Sequence, residues 1–293
     1  MGPAIVVTVA DPATVVTVAG AATHRHCRGP GDRRHRRCRS RSQRVPGLCV
    51  HQRGHTMTRI LFVVSSADHW TLQDGTRHPT GFWAEELVEP YTVFDEAGYD
   101  ITVATPGGRT PVVDQASLEP DAAGGEDRVA ELKSSLEKLQ PVLTGAAVLE
   151  DQRAEDFDLL FVPGGHAPME DLAVDERFGE LVRHFVEADK VVAMVCHAPA
   201  ALLPAHESGG RWLFEGYSLT AFTNVEEVQA GLADKAPWLL QDRLQEAGAV
   251  FSSTDAWQPH VVVDRVLYTG QNPASSRPLA ERIVAEIPAR ATS

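Results

Sequence analysis

After position 57 the chain repeatedly returns to short runs of almost purely apolar residues: Ile60-Leu61-Phe62-Val63-Val64, Leu159-Leu160-Phe161-Val162 and Val191-Val192-Ala193-Met194-Val195. A strand with no polar alternation must be covered on both faces, which points to a parallel sheet packed between two layers of helices. Amphipathic stretches separate the runs, as that architecture requires. The pattern predicts strands at 59–65, 100–104, 158–162 and 190–195, with shorter ones near 218–222, 249–252, 260–263 and 266–269. Helices are expected at 82–97, 128–139, 175–188, 197–204, 225–231, 237–247 and 277–287. The expected fold is α/β: a single, doubly wound, mostly parallel sheet flanked by helices. Gly107-Gly108, Pro120, Gly124-Gly125 and Pro141 break up the stretch between the second and third strands, where an insertion of loops plus one helix is expected, placed as a lid or cap.

The first 56 residues have a different character. They lack hydrophobic periodicity and hold ten arginines and two aspartates, which leaves 17 basic and 38 acidic side chains, a charge of −21, in 57–293. Residues 1–56 are therefore expected to be a disordered or non-native extension, with Met57 as the native start and 57–293 as one domain. A basic arm or an organellar targeting peptide is the alternative, since Arg-rich, acid-poor composition suits both. The acidic body repels phosphate backbones, so no nucleic-acid partner is expected. No apolar run approaches the roughly 18 residues needed to span a bilayer, so no membrane partner is expected either.

Cys27, Cys38 and Cys49 all lie in the arginine-rich head, leaving Cys196 as the only thiol of the body. That usage excludes a disulfide framework there and fits a reducing, cytoplasmic setting. The run Val191–Val195 leads straight into Cys196-His197-Ala198-Pro199, a strand-to-helix junction with small neighbours at Ala193 and Ala198. A nucleophile on such an elbow is pushed out above the sheet edge. At a helix N-terminus its thiol pKa is expected to fall, and the His197 N–H is expected to face a developing oxyanion. A buried structural cysteine is the plainer reading of the same residues.

Strand 158–162 leads into Pro163-Gly164-Gly165-His166, which opens at the same carboxyl edge, so the Gly165 N–H is expected to complete the oxyanion hole. His166 reads as a turn or pocket-lining residue rather than a metal ligand; the body shows no HxxxH or paired-Cys spacing. In Phe82-Trp83-Ala84-Glu85-Glu86-Leu87-Val88-Glu89, the i,i+4 pair Glu85 and Glu89 reads as a solvated face. Glu86 is offset toward the apolar side, where burial would raise its pKa and suit it to proton transfer with Cys196. Trp212, Trp238 and Trp257 read as core or interface residues before pocket residues.

Taken together, Thr80-Gly81, Glu86 and Pro90, Ala104–Gly108, Pro163–His166, Ala193–Pro199, Phe222–Glu227 and Tyr268–Pro273 resemble the PfpI-like superfamily over about 58–288. That superfamily has the class I glutamine amidotransferase-like, flavodoxin-like fold. The long insertion and the Thr269–Pro273 end resemble the branch of heat-shock-type chaperones with glutathione-independent glyoxalase activity. Ala198 stands where many members have glycine, a change that keeps the position small.

The resemblance implies Cys196 as nucleophile, His197 and Glu86 as proton-transfer partners, and Gly165 with His197 as oxyanion donors. Asn224, Glu226 and Glu227 are the open candidates for orienting His197. The implied reaction turns a methylglyoxal-type 2-oxoaldehyde into a hydroxy acid through a cysteine hemithioacetal and thioester, with no cofactor and no metal. Its partners would be that small 2-oxoaldehyde, with glycated or misfolded proteins as further substrates, and a homodimer is left open. A cysteine amidase or peptidase and a non-catalytic stress holdase are the alternatives. In the first, the histidine of the amidotransferase triad stands far downstream of the cysteine, unlike His197.

Overall fold

The structure, a computed structural model, describes residues 57–290. The expectations for residues 1–56 therefore lie outside the described residues. Along the chain come β1 (Arg59–Val63), the hairpin β2 (His69–Thr71) and β3 (Arg77–Pro79), α1 (Ala84–Glu96) and β4 (Asp100–Thr105). The insertion contributes α2 (Pro120–Ala123), α3 (Glu126–Thr144) and β5 (Ala147–Val148). Then follow β6 (Leu159–Val162), α4 (Glu176–Glu187), β7 (Val191–Val195) and β8 (Ser218–Leu219). The C-terminal part holds α5 (Asn224–Ala230), α6 (Leu240–Glu246), β9 (Val250–Phe251), β10 (Val261–Asp264), β11 (Leu267–Gly270) and α7 (Ser276–Arg290).

Seven strands form one sheet in the order β10-β11-β7-β6-β1-β4-β5. All neighbours are parallel except β10 and β11. The apolar runs are central strands, and their residues alternate between two cores. Leu61, Val63, Leu160, Val162, Val192 and Met194 pack with Phe178, Leu181, Val182 and Phe185 of α4. Ile60, Phe62, Leu159, Phe161, Ala193 and Val195 pack with Leu87 and Phe94 of α1 and Leu279 and Ile283 of α7. Each such fully buried side chain contributes about 1.5–3 kcal/mol, which is why the central strands are unambiguous in sequence.

Several expectations need correction. The 218–222 and 249–252 strands pair only with each other, as a two-stranded ribbon outside the main sheet. The hairpin β2–β3 and the edge strand β5 carry too few apolar residues to be read from pattern and were not expected. The helix expected at 197–204 is a 3-10 turn, Ala198–Leu202. Pro141 lies within α3 instead of ending the helix before it, so α3 runs to Thr144. Glu89 is not solvated: it is 8% exposed and paired with Arg128 of α3 and Arg277 of α7, clamping three helices together. The insertion does approach the functional edge, because Val113 bridges Phe82 just before α1.

Candidate active site

The loops after β6 and β7 and the start of α1 converge at the carboxyl edge of the sheet. Cys196 follows β7 with φ +62°, a left-handed conformation that costs a non-glycine residue about 1–3 kcal/mol. The elbow is pinned on both sides, with the Cys196 N–H donating to the Gly270 carbonyl at 2.9 Å and the Phe222 N–H donating to the Cys196 carbonyl at 2.9 Å. The strain is thus fixed by neighbouring backbone.

Gly164 and Gly165 make room for the cysteine. A Cβ on Gly164 would stand 2.6 Å from the Val195 carbonyl oxygen, 2.7 Å from Glu86 Oε2 and 2.9 Å from Cys196 Cβ. Gly165 sits at φ +84°, and a Cβ there would stand 2.3 Å from the Gly81 carbonyl oxygen. Only bare backbone fits between the thiol and the first turn of α1.

Glu86, fully buried on α1, accepts the Gly164 N–H at 2.8 Å on Oε2. Its Oε1 is sealed from solvent without a hydrogen-bond partner. Burial pushes the carboxyl up to about 8, against the opposing pull of the Cys196 thiol and the Gly164 N–H. Burial also pushes the Cys196 thiol up, and the Glu86 carboxylate beside it adds to this, while the Gly165 N–H eases it. The sequence expectation of a lowered thiol pKa is corrected, since no α-helix starts at His197 and the thiol is buried. Below about pH 8 both groups hold protons; losing one leaves a single proton between them.

On the other side of the sulfur, His197 Nδ1 lies 3.3 Å from Cys196 Sγ. His197 Nε2 lies 2.8 Å from Glu227 Oε2, and His166 Nε2 lies 2.9 Å from Glu227 Oε1. Burial works against ionising Glu227, but the facing His197 and His166 outweigh it and hold the carboxyl well below the usual range. An ionised carboxylate only accepts hydrogen bonds, so both Nε2 atoms donate, and a neutral His197 is left with a bare Nδ1 facing the sulfur. Burial and the neighbouring His166 push His197 down to about 4, so its imidazole is neutral at pH 7.

Cys196, His197, Glu86 and Gly165 are therefore brought together. Of the three candidates for orienting His197, Glu227 does so. Glu226 instead closes the capping box of α5 and accepts from the Trp257 N–H, Gln271 and Asn272, while Asn224 donates to Asp242. Glu227 was legible as one of three polar candidates near the N-terminus of α5, with Asn224 and Glu226; its tie to His166 was not.

His166, His197 and Glu227 also present ligand atoms within 4.8 Å of one another, a His-His-carboxylate set that zinc accepts. No sequence spacing reveals this set, because its members come from three separate loops and helices. In the described structure the two imidazole N–H groups occupy both carboxylate oxygens.

Above Cys196 is a narrow apolar nook of about 40 Å³, walled by Trp83, Phe222, Trp257 and Pro273. A wider cavity of about 750 Å³ shares His166, Trp83 and Trp257 with it and extends to Asp114, Asp121 and Lys235. Trp257 thus belongs to the site, contrary to its expected core or interface role. Trp212 is buried and donates its indole N–H to the Leu202 carbonyl, and Trp238 lies under Arg243.

Residues 79–286 match the DJ-1/PfpI family. A glutamine amidotransferase-like class 1 domain-containing protein 1 of Bos taurus is 30% identical over 205 residues, covering 70% of this chain and 87% of the relative. A protein/nucleic acid deglycase HchA of Pseudomonas aeruginosa is 30% identical over 237 residues, covering 76% of this chain and 78% of the relative. The crystal structure of glyoxalase III from Candida albicans superposes with a TM-score of 0.67 at 26% identity, covering 78% of this chain and 97% of that one.

Proposed function

The chain belongs to the DJ-1/PfpI family, and on that premise we propose that it is a glutathione-independent glyoxalase, converting methylglyoxal-type 2-oxoaldehydes into 2-hydroxy acids. The observation that carries the reading is the flanking of Cys196 by a carboxyl pushed up to about 8 and by a bare, neutral imidazole nitrogen, beneath a narrow apolar nook that lies beside a wider cavity. Relatives named deglycase and glyoxalase III support the same chemistry.

The reactive state has one proton shared by Cys196 and Glu86. The thiolate adds to the aldehyde carbon, C1, and Glu86 gives its proton to the new hydroxyl oxygen, O1, forming a hemithioacetal. The Gly165 and His197 N–H groups are placed to hold that oxygen as charge develops. Glu86, now a carboxylate, takes the hydrogen from C1 and returns it to C2. A proton leaves O1 and one arrives on O2 in the same rearrangement, giving a 2-hydroxy thioester. Water then gives a proton to His197 Nδ1 as its hydroxide adds to C1. The C1–S bond breaks, and His197 hands that proton to the departing sulfur 3.3 Å away. Side chains and water carry every proton, and glutathione has no part.

Protein deglycation is a second reading of the same thiol. The wider cavity beside the nook supports it, since a glycated side chain entering there would present its adduct to Cys196. Incubating the full chain with methylglyoxal in glutathione-free buffer tests the primary reading. Lactate equal to the methylglyoxal consumed is the expected result; consumption without lactate would favour an adduct-forming or deglycating thiol.

A further inference from the structure

Glu226 and Glu227 are neighbours at the start of α5, yet they serve different partners. Glu227 holds the two histidines, whereas Glu226, fully buried, gathers five hydrogen bonds on its two carboxyl oxygens. Oε2 accepts the Thr223 N–H at 3.0 Å and the Thr223 hydroxyl at 2.8 Å, the ordinary work of a capping box. Oε1 has partners that a cap does not need. It accepts the Trp257 N–H at 2.9 Å, Gln271 Nε2 at 3.1 Å and Asn272 Nδ2 at 2.8 Å, donors that lie 31 to 46 positions further along the chain. A glutamine would serve a capping box, but its single accepting oxygen could not meet donors on both sides.

The second set of partners fixes the loop between β9 and β10. Gln271 Oε1 accepts the Thr254 N–H at 2.9 Å, Asn272 Nδ2 also donates to the Gln258 carbonyl at 2.8 Å, and both amide side chains are fully buried. That loop carries Trp257 at φ +64°, a left-handed conformation uncommon for a bulky residue. An indole that is 42% exposed supplies little packing to hold such a backbone in place. The ring nevertheless forms one wall of the nook above Cys196, meeting Phe222 edge-on with centroids 5.5 Å apart. Building on the glyoxalase reading, we infer that Glu226 is a positioning residue that sets how large a carbonyl compound reaches Cys196, by pinning the Trp257 backbone beside the thiol. Two successive acids of α5 then divide the control of the site: Glu227 orients the histidine at the sulfur, and Glu226 sets the width of the entrance.

The test uses the full chain and reads substrate size in two ways. One is the ratio of kcat/KM for phenylglyoxal to that for methylglyoxal. The other is the ratio of Cys196 alkylation by N-phenylmaleimide to that by iodoacetamide, followed on the Cys196 peptide by mass spectrometry because the chain has three other cysteines. Glu226→Ala should raise both ratios by about tenfold, the scale on which pocket shape discriminates substrates, and the Glu226→Ala/Trp257→Ala double variant should go no further than Trp257→Ala alone. Glu226→Gln should keep the wild-type ratios, since its amide oxygen can face the three distant donors while its N–H₂ meets the Thr223 hydroxyl. Thr223→Ala, which breaks the capping box and leaves Oε1 its partners, should keep them too. Should Glu226→Ala fail to fold, Asn272→Ala, which removes the donor shared by Glu226 and the Gln258 carbonyl, should raise the ratios in its place. Wild-type ratios in folded Glu226→Ala or in Asn272→Ala, an equal rise in Thr223→Ala, or effects that multiply in the double variant would overturn the inference. Wild-type protein that makes no lactate would overturn the glyoxalase reading alone, because the alkylation ratio still decides whether Glu226 sets access to the thiol.

Discussion

His197 Nε2 lies 2.8 Å from Glu227 Oε2, and this contact decides which nitrogen of His197 faces the nucleophile. With the Nε2 proton committed to an ionised carboxylate, Nδ1 meets Cys196 Sγ as a lone pair. Replacing Glu227 with Gln allows the amide to donate to Nε2 and favours the opposite tautomer. Lactate kcat should then fall about 10²–10⁴-fold, the range for lost general acid–base catalysis, with the upper end matching the loss when the orienting acid of a triad becomes an amide. KM should change little, which steady-state kinetics on Glu227→Gln will show.

Glu86 makes stability depend on pH. Its carboxyl is raised from 4.5 to about 8 in the fold, so between those values the unfolded chain has lost a proton that the folded chain keeps. The Glu86 contribution is therefore fully present below about pH 4.5 and declines as pH rises toward 8. Glu86→Gln, which keeps an acceptor for the Gly164 N–H, removes that penalty. Denaturant melts should show the variant gaining on wild type by roughly 3 kcal/mol between pH 5 and pH 8. A constant difference across that range would contradict the buried, proton-holding carboxyl.

The same titration sets the rate. Isomerisation needs the state with one proton shared between Cys196 and Glu86, which forms as pH rises through about 8. Wild-type kcat for lactate should climb about tenfold per pH unit below that point and then level off. His197, down at about 4, does not limit the rate in this range.

Gly164 is a packing requirement, with three atoms within 3 Å of where a Cβ would stand. Gly164→Ala should lower stability by about 1–3 kcal/mol through overpacking and separate Cys196 from Glu86. Combined denaturation and lactate assays will detect both effects, whereas a variant of wild-type stability and activity would show that the elbow has slack.

Much of this was readable from residue order because the physics is local. Val191–Val195 is apolar at every position, so a buried strand is forced, and Cys196 follows on its carboxyl end. Gly164-Gly165 after β6 and Glu86 on the apolar side of α1 were placed by the same reasoning. What escaped depends on distant pairing. Glu89 reads as solvent-facing until Arg128 and Arg277 arrive from helices 39 and 188 positions away. Trp257 reaches the site because Glu226 holds its backbone N–H at 2.9 Å, a contact no periodicity encodes. The β8 and β9 strands were expected, but their pairing as a separate ribbon was not, because two-residue strands carry too little pattern to show which sheet they join.

Trp257, with Phe222, narrows the nook over the thiol. Trp257→Ala should admit bulkier aldehydes, raising kcat/KM for phenylglyoxal relative to methylglyoxal by about tenfold or more. An unchanged ratio would show that the indole does not set substrate size.

The central claim is that Cys196 and Glu86 act together on one small dicarbonyl substrate. The most direct measurement follows methylglyoxal loss and lactate formation, without glutathione, for wild type, Cys196→Ala and Glu86→Gln. Stoichiometric lactate from wild type, and loss of it in both variants, is the predicted result. No lactate from wild type, or as much from Cys196→Ala, would contradict the account and turn attention to amide hydrolysis or to a holdase role that does not need the thiol.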